Sequence, residues 1–263
     1  FHGLVGHNGP MIKISGVIIA FNEEKHIERC INSLQDLCEE VIVVDSFSTD
    51  QTVVICQKLG VKFYTHPFTG HIEQKNYAMS LAANDYILSI DADEALSDEL
   101  QHSIAKIKSA PPQPAYSFNR MTNYCGHWVR HCDWYPDVKV RLWRKDVGRW
   151  GGVNPHDIVE LKAGTTAYHL SGDLLHYSYD TISSHVNQTN KFTTIAAQAL
   201  FKQNYKSGHI KIFTRPILKF LKDYFLRLGF LDGHYGFIIC SINALSALLK
   251  YSKLYELQRN REI

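Results

Sequence analysis

The 263-residue chain has no G-x-G-x-x-G run after its first apolar stretch and no Walker lysine loop. The first absence argues against a dinucleotide enzyme and the second against a P-loop phosphotransferase. None of the six cysteines (Cys30, Cys38, Cys56, Cys125, Cys132, Cys240) forms a C-x-x-C pair. In a chain this long they read as reduced thiols of a cytosolic protein. Cys125, His127, His131 and Cys132 lie close in sequence, but their spacing fits no standard structural zinc site. Low-complexity segments and solenoid-period repeats are lacking. The longest apolar run, Phe237 to Leu249, falls short of a bilayer-spanning length. Residues 1–10 (FHGLVGHNGP), ahead of Met11, carry neither a core pattern nor a secretory signal, and are expected to be a remnant foreign to the fold.

What is present is an ordinary globular balance, 45% hydrophobic and 21% charged, with room for one large α/β domain and a small appendage. The net charge of +2 is uneven. From Lys202 to Glu262 there are eleven Lys and Arg against four Asp and Glu, about +7, which leaves the rest near −5. A basic tail on an acidic body suggests an anionic partner, phospholipid or nucleic acid.

Ser15 to Phe21 is a continuous β-branched run that predicts a strand buried on both faces. A helix with Ile27, Cys30, Ile31 and Leu34 on one face follows. Glu40 to Val44 predicts a second strand ending at Asp45, and Thr49 or Asp50 can cap a helix with Val53, Val54, Cys56 and Leu59 inward. Val61 to Tyr64, Ile72 to Ala83 and Tyr86 to Ile90 predict strand, helix and strand. This alternation predicts an α/β fold with a mostly parallel, doubly wound sheet, whose ligands sit beyond the carboxyl ends of the strands. Beyond Pro111, Pro112 and Pro114, Tyr116 to Trp150 predicts antiparallel strands and loops, and the chain turns helical from Asp180. Within that helical part Pro216 to Phe230 sets Leu218, Leu221, Phe225 and Leu228 against Lys219, Lys222 and Arg227, a pattern that suits a membrane interface. A helix packed on the main domain with a solvated basic face is the rival reading.

The polar residues gather where the strands end. Asp91 and Asp93 follow strand four, and two carboxylates turned into one cleft favour a cation between them. Oxygen ligands favour Mg²⁺ or Mn²⁺, which would act as a Lewis acid on a diphosphate leaving group. Asp45 can accept from a uracil imide or ribose hydroxyls. The backbone of Ala20, Phe21, Asn22, Glu23 and Glu24 could line a nucleotide pocket. Trp128, Trp134, Tyr135, Trp143 and Trp150 offer faces for sugar rings or for core packing.

The segments VIIAFNEEKHI, VVDSFSTDQT and QKNYAMSLAANDYILSIDADE resemble family 2 glycosyltransferases of the GT-A fold. WYPDVKVRLWRK, the stretch Pro155-His156-Asp157, GDLLHYSY and GFLDG resemble the bacterial lipopolysaccharide-core β-1,4-glucosyltransferase branch. This resemblance implies roles for individual residues. Asp45 would contact the base, Asp91 the ribose or sugar, and Asp93 the metal. Lys75 and Asn76 would lie near donor phosphate or sugar, and His176 would be a further metal ligand or phosphate contact. An inverting reaction needs a base, and the matching position is Asp157. The branch usually carries Glu there, so the side chain is one methylene short, and Glu160 is a rival base. His156 would orient acceptor or donor. Asp137 and Arg141 would shape the acceptor side, with Arg141 pairing with phosphate or with Asp137.

The expectation is an inverting hexosyltransferase using a UDP-sugar, with glucose the first candidate. Its acceptor would be a glycolipid or lipopolysaccharide-core saccharide, and its partners would include the inner-leaflet surface but no nucleic acid. The organisation expected is a nucleotide-sugar half over 11–110, an acceptor half over 111–180, and a basic amphipathic helical extension over 181–263. The protein would be cytoplasmic and peripheral to the inner membrane. Rival readings are a sugar-nucleotide nucleotidyltransferase, which lacks its glycine-rich phosphate loop here, and a non-catalytic sugar- or membrane-binding module.

Overall fold

The computed structural model describes residues 12–153 and 156–260, with the backbone alone at His156. The chain divides into two compact units. One holds the chain up to Arg120 together with Asp137–His176, and the other holds Met121–Pro136 with the chain from Tyr177 onward. Met121–Pro136 therefore belongs with the C-terminal helices, a grouping that a linear reading of the chain does not separate.

The first unit begins with strand β1 (Ile14–Ala20), then helix α1 (Ile27–Gln35), β2 (Glu40–Asp45), α2 (Thr52–Lys58), β3 (Lys62–Thr65), α3 (His71–Ser80) and β4 (Tyr86–Asp91). β1 lies between β2 and β4, parallel to both, and β3 flanks β2. Ile14, Val17 and Ile18 are buried because both faces of β1 are covered. Ile27, Cys30, Ile31 and Leu34 of α1 are fully buried, as their helical spacing predicts. α1 approaches closely because residue 16 is glycine. A Cβ there would stand 3.1 Å from Leu34 Cδ1 and 3.2 Å from Cys38 Sγ. Two local expectations are corrected. Neither Thr49 nor Asp50 is the N-cap of α2, although Asp50 accepts from Thr52 N at 3.0 Å. Val54 is exposed, because Thr52 and Cys56 take the inward face of α2.

The rest of the first unit contains β5 (Glu94–Leu96), α4 (Asp98–Lys108) capped by Ser97, and the start of β6 (Ala115–Tyr124). The tiny β7 (His127–Trp128) pairs with the far end of β6 in the second unit. Next come β8 (Asp137–Arg144), the hairpin β9 (Gly148–Val153) and β10 (His156–Leu161), and β11 (Ala167–Tyr179). The main sheet runs β3-β2-β1-β4-β8-β6-β11-β5. It is parallel as far as β4, and β8 pairs antiparallel with both β4 and β6. The result is an α/β fold of GT-A type with a helical C-terminal extension. The antiparallel pairs bring residues distant in sequence to the ends of β1, β2 and β4.

The second unit contains α5 (Ile182–Lys202), α6 (His209–Leu221) and α7 (Gly233–Arg259), with a π-helical turn at Lys222–Leu226 and a 3-10 turn at Gly229–Asp232 before α7. Its core centres on Tyr124, Val129, Cys132, Ile239 and Cys240. Buried Asp232 accepts from the backbone N–H groups of Arg130 at 3.2 Å and His131 at 2.9 Å. Pro216 to Phe230 is not one helix, because α6 starts earlier, runs through Pro216, and gives way at Lys222 to the π turn. The helix that carries the apolar run extends well beyond it. The helical stretch Gly229–Arg259 is 31 residues long and contains an 18-residue window of mean hydropathy 1.3, enough to cross a membrane by length and composition alone. Ser241, Asn243 and Ser246 interrupt the apolar sequence without interrupting the helix.

Candidate active site

The carboxyl ends of β1, β2 and β4 lie side by side, with Ala20 opposite Asp45 and Ile19 opposite Asp91. Asp91 closes β4, and its side chain remains 28% exposed. Lys75 reaches it from α3, with Nζ 2.8 Å from Asp91 Oδ1 and 2.6 Å from Asp157 Oδ2. The Lys75 side chain is only 4% exposed, and its ammonium lies 4.2 Å from the ring centroid of Trp150. One buried cation therefore ties together two carboxylates that are 66 positions apart in sequence.

Arg141, on β8, approaches from the other side. Its Nη2 is 3.4 Å from Asp91 Oδ2 and 3.2 Å from Glu94 Oε1. Burial by itself would raise the Asp91 carboxyl, but the Lys75 ammonium and then the Arg141 guanidinium outweigh it and hold the group well below the usual carboxylate range. Burial by itself would lower the Arg141 guanidinium, and Glu94 and Asp91 outweigh that as well. Nε and Nη1 of Arg141 are buried and make no hydrogen bond, and the guanidinium carbon lies 4.9 Å from the Trp150 ring centroid, so the aromatic face takes part of its charge.

Sequence reasoning missed Glu94. It is buried, and it accepts from Asp91 N at 2.9 Å as well as from Arg141. Arg120 Nη1 lies a further 3.5 Å away. A third acid directly following Asp91 and Asp93 was the available signal, because a charge on a three-residue buried strand needs a cation. Asp93 turns the other way, toward His176 Nε2 at 3.2 Å, where β11 pairs His176 with Glu94.

Asp91, Arg120, Lys139, Arg141, Trp150 and Asp157 line one cleft of about 510 Å³. Residues 15–164 match the family Glycosyl transferase family 2. The glycosyltransferase RT0209 of Rickettsia typhi is 37% identical, over 94% of this chain and 88% of that protein. The chain belongs to glycosyl transferase family 2. LpsC of Rhizobium meliloti, a lipopolysaccharide core biosynthesis glycosyltransferase, is 28% identical over 94% of this glycosyltransferase and 93% of its own length. A crystal structure of glucosyl-3-phosphoglycerate synthase from Mycobacterium tuberculosis with Mn²⁺, UDP and glucosyl-3-phosphoglycerate covers 43% of this chain and 44% of that one, at 25% identity and a TM-score of 0.34. So partial a likeness bears on no ligand of this glycosyltransferase.

Not every residue singled out in the sequence reaches the cleft of the glycosyltransferase. Asp45 is fully buried, and its carboxylate accepts from Ser48 N at 2.7 Å and from the Ser48 hydroxyl. It therefore organises the loop after β2. Asn22 adopts a left-handed backbone (φ 55) and accepts from Thr49 N at 2.8 Å. The Glu23 amide donates to Thr52 Oγ1 at 2.8 Å. Asn76 brackets the Trp150 backbone. Its Nδ2 donates to the Trp150 carbonyl at 2.9 Å, and its Oδ1 accepts from Trp150 N at 3.1 Å. Asp137 pairs with Arg120 and Lys139, each at 2.9 Å, and not with Arg141, which is drawn to the buried acids. Glu160 meets Gly152 N at 3.2 Å and Arg149 at 3.5 Å and borders a different cavity. The His156 side chain and residues 1–10 lie outside the described residues. Trp143 is buried in the core with Trp150 edge to face against it, and of the two only Trp150 also lines the cleft. His127 and His131 face Asp232, each at 3.3 Å, and Cys132 Sγ lies 3.6 Å from Cys240 Sγ.

Among the described residues no group of three or more His, Cys, Asp and Glu side chains converges on a metal position. Asp93 and His176 nevertheless form a two-donor pair at 3.2 Å, and the Asp93 side chain is 29% exposed. Such a pair would fit a divalent ion that takes its remaining ligands from substrate phosphate and water, with Asp93 as the oxygen donor that Mg²⁺ and Mn²⁺ prefer. Imidazole suits both ions less well than it suits softer metals.

Proposed function

We propose that this glycosyltransferase transfers a hexose, glucose in the first instance, from a UDP-sugar to a lipopolysaccharide-core saccharide with inversion at the anomeric carbon. The observation that carries the reading is Asp157 at the wall of the cleft, joined to Asp91 through Lys75 at the carboxyl end of β4. An inverting displacement needs a carboxylate near the acceptor hydroxyl, on the face opposite the departing UDP. Asp157 takes that proton, and Glu160, bordering another cavity, does not.

Lys75 is the hinge of the chemistry. With no donor bound, its ammonium is shared by Asp91 and Asp157. A diphosphate entering beside Asp91 competes for that ammonium, which weakens the Lys75–Asp157 pair and leaves the carboxylate a better base. Arg141, lining the cleft beside Asp91, adds positive charge where the diphosphate would sit. Asp93 and His176 hold a divalent cation, Mg²⁺ or Mn²⁺, which when bound offsets charge on the leaving diphosphate. Ala20, Asn22, Glu23 and Asp45 shape the nucleoside end, mainly through the hydrogen-bonded loops at 22–24 and 46–52. Asp137, with Arg120 and Lys139, forms the acceptor wall, and His156 orients one substrate beside Asp157.

The 28% identity to LpsC supports a core saccharide as acceptor. A lipid-anchored acceptor in turn suits a protein held at the cytoplasmic face of the inner membrane, and the exposed apolar side chains of α6 support that placement. Chromatography of nucleotides after incubation with UDP-glucose tests the reaction. UDP release that requires added Mg²⁺ or Mn²⁺ and collapses in Asp157→Asn supports transfer. Release of pyrophosphate from a nucleoside triphosphate would overturn it.

A further inference from the structure

Helix α6 buries none of its residues. Its positions Ile210, Phe213, Ile217 and Leu221 recur at spacings of three and four, so they form one stripe. They are 80%, 68%, 61% and 45% exposed. A second stripe, Lys211, Arg215, Lys219 and Lys222, recurs at the same helical spacing beside the first. Three of those cations border a groove of about 340 Å³ whose lining also includes Asn243, Ser246 and Lys250 of α7. The groove thus gathers Arg215, Lys219, Lys222 and Lys250.

These charges are poorly compensated. The carboxylate beside them, Asp223, is fully buried and already accepts from Lys219 at 3.0 Å and from Asn243 Nδ2 at 2.9 Å. Among the described residues no carboxylate lies within 4.0 Å of Arg215, Lys222 or Lys250. Like charges collected in a concave site, with an amide and a hydroxyl among them, repel one another until an anion sits between them. The anion's source follows from what lies next to the groove, a row of large apolar side chains facing outward. A free phosphate has no use for that row, whereas a phospholipid supplies a phosphate and acyl chains at the same spacing of depths.

We propose that the α6–α7 groove seats the phosphate of an anionic lipid head group while Ile210, Phe213, Ile217 and Leu221 enter the acyl boundary. The site shares no lining residue with the catalytic cleft, and it deepens the membrane-facing part of the proposed function, on which it rests. It makes the enzyme selective for anionic surfaces instead of merely adherent to lipid.

The test is co-flotation of the whole protein with vesicles of phosphatidylcholine, alone or mixed with phosphatidylglycerol. Three double variants are compared: the groove pair Lys222→Gln/Lys250→Gln, the stripe pair Phe213→Ser/Ile217→Ser, and a charge-matched control, Lys13→Gln/Lys58→Gln. The expected result is preference for the mixed vesicles and a loss of about 30-fold in the groove pair, each basic residue near an anionic surface contributing about fivefold. The stripe pair should lose binding to both vesicles, and the control should stay near the unaltered protein. Equal losses in groove pair and control would reduce the effect to long-range charge and overturn the site. Loss in the stripe pair alone would overturn the site and leave membrane association standing. Absence of binding to any vesicle by the unaltered protein would end both. Added glycerol phosphate at millimolar levels should not release the protein, and release would point to a soluble phosphate ligand instead.

Discussion

Lys75 Nζ stands 2.6 Å from Asp157 Oδ2, in a side chain that is almost wholly buried. The contact joins a helix in the first third of the chain to a hairpin strand more than eighty residues later. It ties the proposed base to Asp91, the residue that ends β4, through one ammonium.

Asp157→Asn removes the base but keeps the shape of the side chain. Turnover should fall about 10²–10⁴-fold, the usual worth of a positioned base, with little change in donor affinity. Glu160→Gln should remain near wild type, because Glu160 serves the β9–β10 hairpin. Steady-state rates for the two variants check this.

Lys75→Met leaves Asp91 and Asp157 facing each other without their shared cation. Removing one partner of a buried ion pair costs about 3–5 kcal/mol, and the 16–28% exposure of the two acids puts the loss toward the lower end of that range. Urea unfolding measures it. Lys75→Arg should recover only part of the loss, since a planar fork does not fill the site of a compact ammonium.

Glu94→Gln should also act through its neighbours. Arg141 loses its buried counter-charge, and Asp91 N faces a weaker acceptor. Stability should drop by about 3 kcal/mol, and donor affinity should fall as Arg141 settles onto Asp91. Calorimetric titration with UDP, alongside thermal melts, separates the two effects.

Much of this was legible in the sequence, because it rests on local pattern. The buried runs that became β1, β2 and β4, and the acids at their ends, follow from periodicity and from where charge is tolerated. The pairing of Lys75 with Asp157 was not legible, because it depends on the β9–β10 hairpin folding back over α3. Asn76 was read as a donor contact from the family resemblance; its two hydrogen bonds to the Trp150 backbone were not legible, because they too depend on the hairpin meeting α3. Asp45 was read as a base contact from its strand end and from the resemblance; the bonds its carboxylate accepts from Ser48, three residues on, were not legible. Glu94 escaped notice because a buried acid signals itself only through its cations, and these come from β6 and β8.

The second unit should carry its own pH dependence. Burial pulls His185 down from the ordinary 6.5 to about 4, with its Nδ1 3.1 Å from the Tyr124 hydroxyl. The folded state thus resists protonation that the unfolded chain accepts. The stabilisation is present in full above about pH 6.5 and is lost as the pH falls toward 4, to a total of about 3 kcal/mol. Unfolding free energies across that range should slope accordingly, and His185→Phe should flatten the slope.

Isothermal titration of UDP-glucose in Mn²⁺ and in chelator, for the unaltered protein, Asp93→Asn and Asp157→Asn, tests the central claim most directly. The expected outcome is metal-dependent binding that weakens at least about tenfold, or 1.4 kcal/mol, in Asp93→Asn and persists in Asp157→Asn. Equal affinity with and without metal, or an Asp93→Asn variant that binds as tightly as the unaltered protein, would contradict a donor site built on the carboxylates at the end of β4.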